Sequence, residues 1–192
     1  YDGERRAGTV GMALPGVDMK ITNPDNGETL ADGEIGQIEV RGPNVFVGYW
    51  NMPEKTREEL REDGFFITGD LGRIDEHGYL QIVGRNKDLI ISGGYNIYPK
   101  EIELVLDEQP GLLESAVIGA PHPDFGESVI GILVADGSQP VDLDAIEANL
   151  GKTLARFKQP RKLILVESLP RNTMGKVQKN ILRDEFGSTF QG

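Results

Sequence analysis

Lys176, Asp70 and Arg85 pair a reactive side chain with a local setting that could put it to use. Lys176 closes the run Thr173-Met174-Gly175-Lys176, which reads as a flexible turn able to carry an ammonium into a cleft. There it could neutralise negative charge developing on reacting groups, often the largest single contribution to catalysis. A Gly-Lys pair is not a phosphate loop, because the strand–loop–helix pattern GxxxxGK(S/T) is absent, and spacing alone makes a solvated surface lysine the commoner outcome. Asp70 follows Gly69 at the end of an apolar run. Its carboxylate could accept hydrogen bonds from paired sugar hydroxyls, or simply serve an Asx-turn. Arg85, permanently charged and rich in donors, could reach the same sugar or a phosphate, or form a surface ion pair.

The segment from Gly84 to Pro99, GRNKDLIISGGYNIYP, has to connect these groups. Asn86-Lys87-Asp88 interrupts two apolar runs, Tyr79 to Val83 and Leu89 to Ile91, and reads as a charged hinge centred on Lys87. In Ser92-Gly93-Gly94 the missing side chains let the backbone turn tightly or approach a ligand closely. With Tyr95 these residues form a candidate binding turn, although a hairpin followed by an ordinary αβ loop accounts for them equally well.

The composition is globular: 192 residues, 38% hydrophobic and 27% charged, enough for one domain or two small ones. There is no cysteine, which excludes disulfides and a thiol nucleophile and suits a reducing, cytoplasmic setting. No apolar run approaches membrane-spanning length, and no signal peptide opens the chain. A net charge of −11 argues against nucleic acid as a partner. The charge is uneven: residues 1–150 hold 11 Lys+Arg against 28 Asp+Glu, whereas residues 151–183 hold 9 against the single acid Glu167. A basic segment on an acidic protein suggests a local anion site. His77 and His122 read as loop residues, and Asp63, Asp107 and Asp124 lack metal-ligand spacing, so no metal site is expected. Ser128 and Ser168 have no base at a recognisable spacing.

Alternating apolar residues predict strands at Val17–Ile21, Ile35–Arg41, Phe65–Ile67, Leu71–Asp75 and Tyr79–Val83, with a short helix from Pro53 to Leu60. Short strands this close together suggest a small β-barrel or a bent sheet. After the hinge the pattern becomes helical at Pro99–Asp107, Asp142–Leu154 and Gln178–Phe186, the last with Ile181, Leu182 and Phe186 inward. Strands are expected at Leu113–Gly119, Val129–Ala135 and Leu163–Val166. The fold class is therefore α+β: a β-barrel-like subdomain over residues 1–86, then a mobile α+β domain over 87–192 with a short antiparallel sheet and flanking helices.

Three motifs, TGD at Thr68, GRxKDxIxxGGYxIxPxEIE from Gly84 and PRNxMGK from Pro170, occur in that order and resemble the C-terminal third of the adenylate-forming, AMP-dependent enzymes. RGPNVFVGYW, DGFFITGDLG and LPRNTMGKVQK resemble the malonyl-CoA synthetase branch. The resemblance implies an acid–thiol ligase that uses ATP and CoA as substrates, with Mg2+ in the full-length enzyme, acting on malonate or methylmalonate. It implies Asp70 and Arg85 as ribose ligands with Ile82 in the same pocket, Lys176 as the catalytic lysine, and Lys87 as the pivot between two half-reactions. Ser92, Gly93, Gly94 and Tyr95 would border the path of CoA. The same resemblance makes Lys176 a target for a protein lysine acetyltransferase and deacetylase. The phosphate loop and the acyl-selecting residues of such enzymes are expected upstream of Tyr1, so this chain by itself is expected to be inactive. A carrier-protein adenylation domain and a non-catalytic nucleotide-binding module are the alternatives.

Overall fold

Ile21, Ile38 and Leu80 alternate with polar neighbours in sequence, and in the computed structural model they form the core of an antiparallel sheet. The structure describes residues 4–191 and falls into two units that part between Lys87 and Asp88. In the first unit, β1 (Asp18–Thr22), β2 (Gly36–Arg41), β3 (Phe66–Ile74) and β4 (Leu80–Arg85) pair in sequence order, each antiparallel to the next. The sheet stays open, so the bent-sheet alternative holds rather than closure into a barrel. Helix α1 (Pro53–Glu59) starts on its proline, where the missing N–H has no helical partner to lose. The two strands expected around Thr68-Gly69-Asp70 are one strand, β3. Gly69 at φ 76° lets the chain pass through a left-handed residue without ending the ladder.

Glu39 on β2 is fully buried as a side chain and is not left alone. It accepts a hydrogen bond from the Thr22 hydroxyl at 2.7 Å and pairs with Arg61 Nη2 at 2.6 Å and Lys20 Nζ at 3.4 Å. Such partners are what a buried carboxylate requires.

The second unit contains β5 (Ile90–Ser92), β6 (Tyr95–Ile97), α2 (Pro99–Asp107), β7 (Leu112–His122), β8 (Gly126–Ala135), α3 (Leu143–Thr153), β9 (Lys162–Val166) and α4 (Lys179–Phe186). The long β7–β8 hairpin is its centre. Alternate residues face opposite cores: Val117 and Leu133 pack with Ile102 and Leu106 of α2 and Ile146 and Leu150 of α3, while Ile118 and Ile132 pack with Leu182 of α4. A hairpin buried on both faces has little freedom to bend, and truncating Leu133 to alanine is expected to cost about 2–5 kcal/mol. Pairing is antiparallel except for β9, which runs parallel to β8. The Asp142 carboxylate caps α3 by accepting the Ala145 N–H at 3.0 Å. In α4, Leu182 is 1% exposed but Ile181 is 39% exposed, contrary to the inward placement expected for it. The helix is a single short stripe, and Leu182 and Phe186, four apart, take its inner face. Among the described residues no helix is long and apolar enough to cross a membrane.

Candidate functional site

In the first unit, Asp70 and Arg85 lie directly opposite one another on β3 and β4. Arg85 Nε is 3.2 Å from Asp70 Oδ1, and both side chains keep solvent access. The Asp70 main chain is fixed from both sides. Its N–H donates to the Thr68 hydroxyl oxygen at 3.1 Å, and its carbonyl accepts from the Gln37 amide at 3.0 Å. Gln37, 4% exposed, drew no attention in the sequence, because a glutamine on a strand has no local signature of such a role. Ile82 is 44% exposed and pairs with Gly72. In a regular strand, residues spaced like Ile82 and Arg85 would point to opposite faces. The register shift between Leu71 and Gly72 leaves one extra residue in β4, so both side chains share a face with Asp70. A carboxylate, a guanidinium and an exposed apolar side chain on one face suit a sugar with its attached planar ring.

In the second unit, the Lys176 turn is a clasped hairpin rather than the flexible turn its composition suggested. Arg171 and Val177 form an antiparallel bridge, and the Gln178 N–H donates to the Pro170 carbonyl at 2.8 Å. Inside the clasp, Asn172 Oδ1 accepts both the Met174 N–H at 3.0 Å and the Lys176 N–H at 2.9 Å. The Asn172 N–H donates to the Lys176 carbonyl at 2.9 Å, and Gly175 turns the chain at φ 78°. Lys176 itself is exposed.

Gly93 and Gly94 form the two-residue turn between β5 and β6, at φ 57° and 83°. Positive φ at both positions is the mirror-image turn that matches strand twist, and only glycine adopts it freely. The turn is tied to the β7–β8 connection: the Gly93 N–H donates to the Phe125 carbonyl at 2.9 Å, and the Ile91 N–H to Glu127 Oε2 at 2.9 Å. Tyr95 stacks on Phe157 with ring centres 4.5 Å apart, and the Arg161 guanidinium lies 4.4 Å from the Phe125 ring centre. With Ser92, Ser128 and Arg156 these groups surround a pocket of about 320 Å3. Phe125, Phe157, Arg156 and Arg161 were not identified from the sequence. The basic run of residues 151–183 pointed to the arginines, but nothing local told that the aromatic rings would meet them. Aromatic faces and guanidinium groups together suit a planar, anionic ligand.

The two turns stand at opposite ends of the same hairpin. The Lys176 turn is held to Glu114 of β7 through Arg171, whereas Ser92, just before the glycine turn, pairs with Gly126 at the start of β8, opposite His122. From Glu114 to His122 the strand extends about 26 Å at the usual rise per residue.

Lys87 is exposed in the 3-10 turn Asn86–Asp88, and the next residue, Asp88, is fixed to Arg183 of α4 at 2.7 Å. His122 accepts the Asp124 N–H on Nδ1 at 3.2 Å and packs beside Phe125 and Phe190. Among the described residues no three His, Cys, Asp or Glu side chains come together in a cluster.

Residues 1–50 match the family described as AMP-binding enzyme, and residues 101–176 match the AMP-binding enzyme C-terminal domain. A malonate–CoA ligase of Arabidopsis thaliana is 45% identical over 94% of this chain and 31% of its own length. A long-chain-fatty-acid–CoA ligase of Mycobacterium tuberculosis is 42% identical over 98% of this chain and 37% of its own. The crystal structure of ATP-bound MatB from Rhodopseudomonas palustris is 57% identical, with a TM-score of 0.94 over 99% of this chain and 38% of that one. The chain thus spans roughly a third of the length of the relatives it matches. The two family matches fall in order along it, on either side of residues 86–88, and the chain belongs to the AMP-binding, adenylate-forming enzymes, whose C-terminal domain it carries.

Proposed function

We propose that this chain is the C-terminal part of a cytoplasmic, ATP-dependent acyl-CoA synthetase acting on malonate or methylmalonate. The reaction joins a carboxylate, ATP and CoA and yields acyl-CoA, AMP and pyrophosphate. Asp70 accepts the ribose hydroxyls of ATP, Arg85 orients them, and Ile82 lies against the base. In the first half-reaction the substrate carboxylate attacks the α-phosphate, and the Lys176 ammonium offsets the charge that develops there. In the second, the CoA thiol attacks the acyl-adenylate and AMP leaves. The thiol arm passes the Ser92–Tyr95 turn while the pocket beside Phe157, Arg156 and Arg161 takes the phosphorylated nucleotide end. Mg2+ would enter with the phosphates of ATP.

The observation that carries this reading is the separation of the two turns. Their anchor points on one doubly buried hairpin are about 26 Å apart along the strand, which argues against both turns serving a single small site in one orientation. Serving both half-reactions requires the second unit to rotate, with Lys87 as the pivot. The choice of malonate rests on the similarity to the malonate–CoA ligase and to MatB.

The test uses the full-length enzyme. Malonate or methylmalonate should release pyrophosphate from ATP, and added CoA should then yield the thioester. No pyrophosphate release with any short dicarboxylate would remove the substrate assignment, and none with any carboxylate would leave a non-catalytic nucleotide-binding module. A carrier-protein adenylation domain would instead pass its acyl group to a pantetheine-bearing protein and ignore free CoA. The pocket lined by aromatic rings and guanidinium groups favours free CoA, whose adenosine and 3′-phosphate such a carrier arm lacks.

The exposed Lys176 is also proposed as the target of a protein lysine acetyltransferase, with a deacetylase restoring it. Acetylation removes the charge, so it should block the first half-reaction alone. Mass spectrometry after acetyltransferase treatment should find the modification on Lys176 in step with that loss.

A further inference from the structure

Glu114 lies outside every motif that marks this family, yet it reaches the Lys176 turn. Its carboxylate on β7 forms an ion pair with Arg171 Nη2. The other terminal nitrogen of the same guanidinium, Nη1, donates to the Gly175 carbonyl at 2.5 Å. Gly175 directly precedes Lys176, and its φ of 78° sets the direction in which the chain delivers that lysine. One planar guanidinium therefore joins a strand buried on both faces to the peptide that aims Lys176. Only arginine has the fork to make both bonds at once.

The rest of the turn is held from within. Asn172 organises the loop, but it is part of the loop and moves with it. The α4 side is anchored by Lys179 to Glu103 at 2.6 Å, and Glu103 also accepts the Val117 N–H at 3.0 Å. That second anchor is nearly closed to solvent, with side-chain exposures of 16% and 9%. Its loss would be felt as stability. The Glu114–Arg171 pair is more open, at 26% and 44%. A pair this exposed contributes little to stability, typically below about 1 kcal/mol. What its geometry does supply is a fixed orientation of the turn relative to the hairpin.

From this we infer that Glu114 is a positioning residue for Lys176, acting through Arg171 and the Gly175 carbonyl. The inference rests on the catalytic role proposed for Lys176. Glu114 touches no substrate. It holds the turn so that the ammonium arrives where charge develops when the unit is in its adenylating orientation. A misplacement of about 1 Å at a catalytic group can lower a rate by up to about 100-fold, so an effect confined to one half-reaction is expected.

The test measures both half-reactions in the full-length enzyme with Glu114→Gln, Lys176→Ala and the double variant. Glutamine keeps the shape and removes the charge that orients Arg171. Glu114→Gln should lower the rate of adenylation about 10-fold, with little change in KM for ATP and a melting temperature close to wild type. Thioester formation from preformed acyl-adenylate and CoA should stay within about twofold. Glu114→Asp, which retains the charge, should recover part of the loss. In the Lys176→Ala background Glu114→Gln should cost nothing further, because residues acting as a unit are non-additive. Equal losses in both half-reactions, or the same 10-fold loss with Lys176 already removed, overturn the inference. If Lys176→Ala abolishes adenylation while Glu114→Gln is silent, the positioning role falls and that of Lys176 stands. If Lys176→Ala leaves adenylation intact, both fall.

Discussion

The Lys176 turn and the Gly93-Gly94 turn are tied to the same hairpin by different chemistry. The first is held by side chains: Asn172 accepts two backbone N–H groups, and Arg171 links Glu114 to Gly175. The second relies more on the backbone, with two glycines at positive φ and a Gly93 N–H to the Phe125 carbonyl, and a single side chain, Glu127, accepts the Ile91 N–H beside it. Each suits the role proposed for its turn. Delivering one ammonium to a defined point requires a loop whose side-chain bonds fix direction. Letting a long flexible substrate slide past requires the opposite, a wall with nothing protruding from it. The Lys176 turn should therefore be sensitive to changes in chemistry, and the glycine turn to changes in volume.

Removing the charge is the strongest way to break this contrast. Lys176→Ala should reduce adenylation by about 10²–10³-fold, the usual range for losing one preorganised electrostatic group. Thioester formation from supplied acyl-adenylate should hardly change. Comparable losses in the two half-reactions would erase the division of labour between the turns.

The mirror experiment adds volume. Gly94→Val puts a β-branched residue at φ 83°, a conformation such residues strongly avoid. Holding it there costs of order 1–3 kcal/mol, and the methyls protrude into the proposed CoA path. Thioester formation should fall about 10- to 100-fold and adenylation much less, as read by pyrophosphate exchange. Loss of adenylation alone would show that the glycines serve the other step.

What the sequence disclosed follows the same line. Features set by neighbouring residues were legible: prolines opening α1 and α2, and the glycine turn. Features requiring distant residues to meet were not. Arg171 and Glu114 are 57 residues apart, so neither announces the other. The stacking of Tyr95 on Phe157 and the burial of Glu39 among Thr22, Arg61 and Lys20 depend on tertiary placement alone. The bulge that turns Ile82 and Arg85 to one face is invisible to a strict two-residue period. The Lys176 turn looked flexible because Thr-Met-Gly is a loose composition, whereas the groups that clasp it, Asn172 and Arg171 among them, lie outside that run.

A smaller effect is expected at the pivot. Lys87→Pro fixes φ near −65° and removes a backbone donor, so one of two orientations should become less accessible. The half-reactions should then diverge by about 10-fold, with circular dichroism showing an intact fold. A folded Lys87→Pro enzyme with both rates normal would put the pivot elsewhere and leave the opposite-ends geometry without its hinge.

The smallest effect separates the turns from the scaffold that both half-reactions share. Glu39 belongs to neither turn. Burial by itself would raise its pKa, but hydrogen bonds from Arg61 and Thr22, with the charges of Arg61 and Lys20, carry it below the ordinary glutamate value. The sign follows from linkage. A carboxyl held lower in the folded state contributes stability that is fully present above its unfolded pKa, and this is lost as pH falls through the folded value. The window therefore opens below the ordinary value of 4.5. Glu39 sits on β2, next in line to Gln37 and Ile38, whose groups hold Asp70 and Thr68 in place. Acid should accordingly lower both half-reactions together, with a matching fall in melting temperature. Glu39→Gln should be less stable at neutral pH and show a flatter acid slope, because no carboxyl remains there to protonate. A loss confined to one half-reaction, with the melting temperature unchanged, would mean that acid acts at one of the two turns and not through the sheet that carries Asp70 and Arg85.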